Sequence, residues 1–274
     1  MTHDLRAHDL RAQRLTLGYG GADIVHDLDL VVPDGRISVI VGANGCGKST
    51  LLRGLARLLK PRSGTVSLDG RPLGDWRSTD VARVLGLLPQ SPVAPDGISV
   101  GDLVGRGRYP HQGWFRRWTA EDDAAVAAAL EATGTTDLAS RTLSELSGGQ
   151  RQRVWVAMTL AQDTDLVLLD EPTTFLDISH QVELLDLLTD LNRTHGKTIV
   201  MVLHDLNLAC RYADHIVAMK SGRIAAEGTP SDVITSELVA DVFGLACQVV
   251  PDPVSGTPMV VPCGRHHAAA PAVV

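Results

Sequence analysis

Aliphatic runs of strand length alternate with helical stretches along most of the chain. Four runs are apolar almost throughout, which is typical of strands buried on both faces of a parallel sheet: Ile37–Val41, Leu166–Leu169, Thr198–Leu203 and Ile216–Met219. Helices are predicted over Lys48–Leu59, which Pro61 would end, and over Ser179–Thr194. This alternation predicts an α/β fold built around a parallel sheet.

The alternation is interrupted in the middle of the chain. Residues from about 92 to 162 have a mostly helical pattern, including the alanine-rich stretch Glu121–Ala132. Further strands are predicted before this insertion, over Leu15–Tyr19, Ile24–Val32, Thr65–Leu68 and Val84–Leu88. The last thirty residues contain short strand-like runs and a polar end. We therefore predict a single domain over residues 13–262, with a helical subdomain inserted at about 92–162.

Both ends of the chain are expected to be loose. Residues 3–12 hold two copies of His-Asp-Leu-Arg-Ala. A disordered leader over residues 1–12 is favoured over a functional arm, because termini usually fray. Residues 263–274 are predicted to be a flexible tail. Binding of a metal by His266 and His267 is the less favoured alternative.

Composition and charge argue against several classes of protein. The formal net charge is −7, which disfavours binding of nucleic acid by neutralisation of its phosphates. No run approaches the roughly 20 apolar residues of a membrane-spanning helix, and the polar N-terminus does not resemble an export signal. The four cysteines lack the spacing of a metal site or disulfide framework, so a reducing cytoplasm is expected.

A glycine-rich motif follows the first fully apolar strand. Its residues are Gly42-Ala43-Asn44-Gly45-Cys46-Gly47-Lys48-Ser49, followed by Thr50, and they fit the pattern G-x-x-x-x-G-K-[ST]. Glycines let backbone N–H groups approach a triphosphate, and the following helix N-terminus favours negative charge. Lys48 is expected to reach the β- and γ-phosphates and Ser49 to bind Mg²⁺. The motif therefore predicts an ATP-binding P-loop.

Two acids follow the apolar strand Leu166–Leu169. The carboxyl ends of parallel strands meet where ligands collect in such sheets, so these acids are expected beside the P-loop. Asp170 is expected to hold the Mg²⁺ shell through water, and Glu171 to orient or deprotonate the attacking water. Two solvated acids at a strand end are the alternative, which the P-loop makes less favourable.

The segment Leu146-Ser147-Gly148-Gly149-Gln150 precedes a predicted helix over Arg151–Ala161. Ser147 and the glycines would expose N–H groups at a helix N-terminus, which suits an anion, although such residues also form a plain helix cap. With the P-loop and the strand-end acids, this segment resembles the signature of the ATP-binding cassette (ABC) ATPases. The resemblance covers about residues 13–262. It implies a P-loop core with a parallel sheet, an antiparallel β subdomain and an inserted α-helical subdomain.

The resemblance also implies the roles of single residues. Tyr19 matches the aromatic residue that stacks on adenine. Gln90 matches the glutamine that senses Mg²⁺ and signals to the permease. His204 follows a predicted strand and matches the histidine that contacts the γ-phosphate, so it joins Lys48 and Glu171 as an expected catalytic residue.

The D-loop of such ATPases corresponds to residues 174–177, here Thr-Phe-Leu-Asp. Phe175 departs from the usual Ser-Ala-Leu-Asp form, whereas Asp177 is retained. The resemblance implies that two copies pair head to tail. Ser147, Gly148, Gly149, Gln150 and Asp177 of one copy would then serve the ATP of the other.

Partners outside the dimer follow from the same resemblance. A cassette without a membrane domain is typical of importers whose two permease subunits are separate chains. The protein is therefore expected to be a peripheral ATPase at the cytoplasmic face of the membrane. It would meet a substrate-binding protein only indirectly and would bind no nucleic acid. The region Gln90–Arg117 is expected to dock the permease, with Trp114, Phe115 and Trp118 either facing it or only packing the subdomain.

A finer resemblance is to iron–siderophore importers of the ferric-enterobactin kind. The segments that have this group's form are 106–112 (RGRYPHQ), 170–181 (DEPTTFLDISHQ), 203–215 (LHDLNLACRYADH) and 252–262 (DPVSGTPMVVP). Related cassettes serve cobalamin and haem import, so these cargoes remain alternatives. A soluble ATPase without a membrane partner is the remaining hypothesis from a different class.

Overall fold

The computed structural model describes residues 7–112 and 118–264. The strands are β1 Leu10–Tyr19, β2 Ala22–Val31, β3 Ile37–Gly42, β4 Ser63–Leu68, β5 Arg71–Pro72, β6 Leu85–Leu88, β7 Leu166–Asp170, β8 Thr198–Val202, β9 His215–Lys220, β10 Arg223–Gly228, β11 Cys247–Pro251 and β12 Pro258–Pro262. The α-helices are α1 Lys48–Leu55, α2 Ser78–Val84, α3 Val100–Gly105, α4 Ala120–Ala132, α5 Gly148–Ala161, α6 Ile178–His195, α7 Leu206–Tyr212, α8 Pro230–Val233 and α9 Ser236–Phe243. Short 3₁₀ turns occupy Leu73–Asp75, Arg106–His111, Thr136–Leu138 and Leu143–Glu145.

The central sheet has the strand order β10-β9-β3-β8-β7-β6. The strands from β9 to β6 are parallel, and β10 pairs antiparallel with β9 at one edge. Alternate residues of each strand enter two separate cores, so Val39 and Val41 lie in one and Ile40 in the other. Because strand side chains alternate with period two, a strand covered on both faces must be apolar throughout. This explains the continuous aliphatic runs in the sequence.

A different layer covers each face of the central sheet. On the Ile40 face, α1 and the antiparallel sheet β2-β1-β4-β5 close the core, with Leu15, Leu17 and Leu51 fully buried. On the Val39 face lie α6 and the helices α3, α4 and α5, which come from the segment between β6 and β7. The predicted α/β fold, with an antiparallel β sheet and a helical insertion, is confirmed.

The predicted leader over residues 1–12 is wrong for its second half. Strand β1 begins at Leu10, and His8 is buried, with only 6% of its surface exposed. The imidazole lies between two carboxylates: Nδ1 is 3.0 Å from Asp69 Oδ2, and Nε2 is 3.2 Å from Asp165 Oδ2. These hydrogen bonds and the burial of Leu10 outweigh the fraying expected at a chain end. Residues 1–6 lie outside the described residues.

Helix α1 ends at Leu55 rather than at the predicted Leu59. Arg57 has a φ of 61°, and its N–H donates to the Gly54 carbonyl at 3.0 Å, while the Leu58 N–H donates to the Arg53 carbonyl at 2.8 Å. These bonds form a Schellman motif, which satisfies carbonyls at the helix end. The left-handed position usually holds glycine, so an arginine there escaped a prediction based on sequence pattern.

Several predictions concern residues near the ends of the described ranges. Within the predicted tail 263–274, the Cys263 N–H donates to the Ala246 carbonyl at 2.8 Å. The remainder from residue 265, with His266 and His267, lies outside the described residues, as do Trp114 and Phe115.

In the two described ranges, none of the helices combines the length and apolar character needed to cross a membrane.

Candidate active site

The P-loop joins β3, in which every residue is buried, to α1. Gly42 has a φ of 154°, and a Cβ there would lie 2.4 Å from the carbonyl oxygen of Met219, so the position accepts only glycine. Gly47, which precedes α1, has a φ of 107°. The first turn of α1 contains no acidic residue. Its free N–H groups are therefore available to an anion.

Lys48 is buried against its own loop. Its Nζ donates to the carbonyl oxygens of Gly42 at 2.9 Å and Ala43 at 3.1 Å. Phosphate oxygens carry charge and are stronger acceptors than these carbonyls. The ammonium group of Lys48 is thus held in the P-loop by bonds to carbonyl oxygens. Phosphate oxygens of a triphosphate can replace these bonds because they are stronger acceptors.

Ser49 and Asp170, both predicted to bind Mg²⁺, contact each other. Ser49 Oγ donates to Asp170 Oδ1 at 2.8 Å, at the end of β7. Asp170 is 1% exposed, and its Oδ2 has no hydrogen-bond partner in the described part of the chain. Burial raises the pKa of Asp170, although the Ser49 hydrogen bond opposes this. Mg²⁺ prefers carboxylate and hydroxyl oxygens, so an unpaired buried oxygen beside a serine fits this ion.

Both carboxylate oxygens of Glu171 are engaged. Oε1 lies 2.8 Å from His204 Nε2, Oε2 accepts a hydrogen bond from Thr174 Oγ1 at 3.2 Å, and the Gln90 side chain also bonds the carboxylate. Burial opposes ionisation, but the bonds from His204, Gln90 and Thr174 outweigh it and hold the pKa of Glu171 below its usual range. The carboxylate is therefore ionised near neutral pH and can accept a proton.

The backbone at Glu171 is left-handed, with a φ of 55°. A non-glycine residue adopts this conformation at a cost of about 1–3 kcal/mol, and such strain concentrates at functional sites. The turn brings the carboxylate out of the line of β7, and the Thr174 N–H donates to the Glu171 carbonyl at 3.2 Å. Thr174 thus holds both the backbone and the side chain of Glu171, a role that its place in the D-loop had not indicated.

These groups surround one cavity of about 500 Å³. The predicted site residues in its wall are Asn44, Gly45, Gly47, Lys48, Ser49, Thr50, Gln90, Glu171 and His204. Ile24 of β2 also lines the cavity and was missed. In the sequence it is one apolar residue of a predicted strand, and nothing distinguishes it from its neighbours. Its place at the P-loop depends on how the antiparallel sheet packs.

Four predicted ATP-binding residues do not line this cavity: Tyr19, Gly42, Ala43 and Cys46. Cys46 is buried in the core below the antiparallel sheet, and burial raises the pKa of its thiol more than the nearby Lys48 lowers it. Tyr19 ends β1, is 42% exposed, and its hydroxyl accepts a hydrogen bond from Arg53 at 3.1 Å. Adenine stacking on Tyr19 remains a prediction, and Arg53 is a neighbour that the motifs did not indicate.

The signature forms the N-terminus of α5, and none of its residues 147–150 lines the cavity. Ser147 Oγ accepts the Gln150 N–H at 3.2 Å, and Gln150 Oε1 accepts the Ser147 N–H at 3.0 Å. This reciprocal capping box fixes the start of the helix. Ser147 and Gly148 are exposed, so the helix end faces outward from the chain.

The D-loop packs beside the signature. A Cβ on Gly148 would lie 3.5 Å from Phe175 Cβ, and one on Gly149 would lie 3.3 Å from Leu176 Cδ2. Phe175 has a φ of 69° and is 77% exposed. Asp177 caps α6 by accepting the His180 N–H at 3.0 Å. The signature and residues 175–177 of the D-loop therefore form one surface, and none of these residues lines the cavity of the same chain.

Comparison with known proteins agrees with this arrangement. Residues 25–174 match the ABC transporter family. The probable siderophore transport system ATP-binding protein YusV of Bacillus subtilis (strain 168) is 57% identical over 256 residues, which cover 93% of each chain. The ferric enterobactin transport ATP-binding protein FepC of Escherichia coli (strain K12) is 54% identical over 93% of this chain and 94% of its own. A dimeric structure of a bacterial ABC transporter cassette superimposes with a TM-score of 0.73 at 27% identity, over 80% of this chain and 98% of that chain. Family match, fold and site agree: this chain belongs to the ABC transporter family, and it is one of its ATPases.

Proposed function

We propose that this chain powers the import of ferric siderophores through a separate membrane permease, as a head-to-tail dimer. Its similarity to siderophore and ferric-enterobactin transport ATP-binding proteins extends over nearly its whole length, which supports this cargo class. The main support for a dimer is that the cavity and the signature lie apart within one chain. The cavity contains the P-loop, Glu171 and His204, whereas the signature lies exposed elsewhere.

Hydrolysis by water suits the groups around the cavity. Loop N–H groups and Lys48 would bind the triphosphate, and Ser49, Gln90 and Asp170 would hold Mg²⁺, which would supply positive charge beside the phosphate oxygens. Glu171 is ionised and takes a proton from the attacking water. His204 shares a hydrogen bond with Glu171 and lines the same cavity. From there it would contact the γ-phosphate.

The second copy completes the ATP site in this proposal. The residues that close over the ATP of the other copy are Ser147, Gly148, Gly149, Gln150 and Asp177. A bacterial ABC transporter cassette that is 27% identical has a dimeric structure, which supports a dimer here. Phe175 and Ile178 flank Asp177 and are both largely exposed. Burying one such side chain against the partner would contribute about 1.5–3 kcal/mol to association.

A groove on the helical insertion is the proposed docking surface for the permease. Its volume is about 530 Å³, and Tyr109 and Trp118 contribute exposed aromatic surface to it. Trp118 Nε1 donates to Asp123 Oδ1 at 2.5 Å, which fixes the ring while leaving it half exposed. Two permease subunits, one for each cassette, would place the dimer at the cytoplasmic face of the membrane. The substrate-binding protein would act only through them, and nucleic acid has no role.

The test is Glu171→Gln in cells that rely on siderophore-stimulated iron uptake. Glutamine keeps the shape of the side chain but cannot take up the proton, so uptake should fall on the order of 100-fold or more. The purified variant should retain ATP and accumulate as a dimer in size-exclusion chromatography. Glu237→Gln, an exposed position on α9, is the matched control and should behave as wild type.

The outcomes separate the alternatives. Normal iron uptake in cells carrying Glu171→Gln would refute siderophore import. Loss of cobalamin or haem uptake in those cells would then identify a related importer. An ATPase that co-purifies with no polytopic membrane protein would instead support a soluble, non-transport role.

A further inference from the structure

The C-terminal hairpin β11–β12 is bound to α7, the short helix that follows His204. Asn207 Oδ1 accepts the Val260 N–H at 2.7 Å, and Asn207 Nδ2 donates to the Val260 carbonyl at 3.3 Å. One amide side chain therefore pairs with both backbone groups of a single residue of β12. Val260 is buried, so loss of this pairing would leave backbone groups with poor access to water.

A second contact lies one helical turn further along α7. Arg211 donates to Asp252 Oδ2 at 2.7 Å, while Asp252 Oδ1 accepts the N–H groups of Val254 and Ser255 at 2.8 and 3.2 Å. Asp252 thus joins α7 to the loop between β11 and β12 and shapes that loop. We call these two contacts, Asn207–Val260 and Arg211–Asp252, the C-terminal latch.

The latch acts on one face of α7, because residues four apart on a helix share a face. Helix α7 has seven residues, which is too short to be stable without packing. Its first residue lies two positions after His204. Asp205 caps it by accepting the N–H groups of Asn207 and Leu208 at 2.8 and 3.0 Å. Only Asp205 separates α7 from His204, so a movement of α7 would displace the backbone of His204.

The strand before His204 cannot absorb such a movement. Strand β8 lies between β3 and β7 in the central sheet, and the Leu203 N–H donates to the Ile40 carbonyl at 3.3 Å. The position of the histidine is set on one side by this sheet and on the other by α7. Its contact with Glu171 is a single 2.8 Å hydrogen bond, which a displacement of about 1 Å would break.

We propose that the C-terminal hairpin is a positioning element for the hydrolysis step: through the latch, Asn207 and Arg211 hold α7 so that His204 meets Glu171. Both are positioning residues, since neither lines the cavity. The inference rests on the proposed role of His204. It assigns a task in the ATPase cycle to the segment 252–262, which the motifs of the nucleotide site do not include.

The experiment measures steady-state ATP hydrolysis by the full-length chain carrying Asn207→Ala or Arg211→Ala. Misplacement of a catalytic group by about 1 Å can cost on the order of 100-fold in rate. Since the Asp205 cap remains, we expect kcat to fall roughly 10-fold while KM for ATP changes less than about 2-fold. Arg211→Lys keeps a cation for Asp252 and should recover much of the rate.

The matched control is Asp241→Asn, which removes an ion pair of 2.5 Å between α9 and Lys220 of β9 without touching α7. It should leave kcat unchanged. Thermal unfolding of every variant shows whether it is folded, and Asp252→Asn replaces any variant that is not.

Double variants with His204→Ala decide between positioning and a merely structural effect. If the latch acts through His204, Asn207→Ala should lower kcat no further in the His204→Ala background. An equal fall in both backgrounds, or a normal kcat in folded latch variants, would overturn the inference while the proposed function stands. A wild-type kcat for His204→Ala itself would overturn the proposed role of His204 and the inference with it.

Discussion

Replacing Asp170 by asparagine should make the metal-free protein more stable while abolishing its use of Mg²⁺. The carboxylate is almost completely buried, and its Oδ2 has no hydrogen-bond partner in the described ranges. An ionised oxygen in this position costs folding free energy, in agreement with the raised pKa of Asp170. Asparagine keeps the oxygen that accepts from Ser49 and removes the charge.

The size of the expected stabilisation follows from the free-energy cost of an unpaired buried polar group. Leaving a buried polar atom unsatisfied costs about 1–3 kcal/mol, and more when the group is charged. The asparagine NH₂ would also lack a partner, so only part of this cost is recovered. We expect a net stabilisation of about 1 kcal/mol, which corresponds to a rise in Tm of roughly 2–4 °C for a domain of this size.

The assay is thermal unfolding of wild type and Asp170→Asn in a chelator, then with Mg²⁺ and a non-hydrolysable ATP analogue. A ligand at 100 times its Kd stabilises the folded state by about 2.7 kcal/mol. Wild type should gain this increment, and the variant should gain much less. Asp190→Asn, at an exposed position of α6, controls for the change of net charge. An Asp170→Asn protein that is less stable than wild type in the chelator would refute the reasoning.

Three further predictions concern the P-loop and the hairpin. Gly42→Ala should destabilise the fold by at least about 2 kcal/mol in urea unfolding. A φ of 154° strains alanine, and its Cβ would lie 2.4 Å from a backbone carbonyl oxygen of β9. A urea midpoint equal to that of wild type would contradict the close approach of Gly42 to β9. Cys46, buried with a raised thiol pKa, should be alkylated by N-ethylmaleimide at least about 10-fold more slowly than the partly exposed Cys247, as peptide mass spectrometry can show. Asp252 has its pKa lowered to about 2, chiefly by the hydrogen bond from Arg211, so its contribution to stability is complete above its ordinary pKa of 3.8 and is lost as the pH falls towards 2. The difference in urea midpoint between wild type and Asp252→Asn should therefore shrink over that interval. A difference that grows on acidification would contradict the stabilising role of the Asp252 carboxylate.

Local patterns predicted a nucleotide site at the P-loop. The P-loop is recognisable because its glycines and lysine are adjacent in the chain, and the phosphate contacts need that adjacency. The structure brings Asn44, Lys48, Glu171 and His204 to one cavity, and their roles towards ATP stay a prediction. Periodicity alone predicted the parallel strands, because burial on both faces requires apolar residues at every position.

Contacts between distant parts of the chain were beyond such patterns. The end of α1 at Leu55 depends on Arg57 in a left-handed conformation that the sequence does not favour. The start of β1 at Leu10 is accompanied by hydrogen bonds that join His8 to residues 61 and 157 positions away. No local signal contains such partners, so the leader was assigned too many residues.

The sequence by itself determined that the chain has a parallel α/β core, an ATP-binding P-loop and a signature that is typical of ABC ATPases. Each of these properties depends on residues within one short segment. Only the tertiary structure decided that Ile24 lines the cavity at the P-loop, that Thr174 and His204 hold the two oxygens of Glu171, and that the C-terminal hairpin is bound to α7. These contacts join strands, loops and helices that are far apart in the chain. They form only when the hydrophobic cores bring those elements together, and the pattern of one segment contains no information about its neighbours in space.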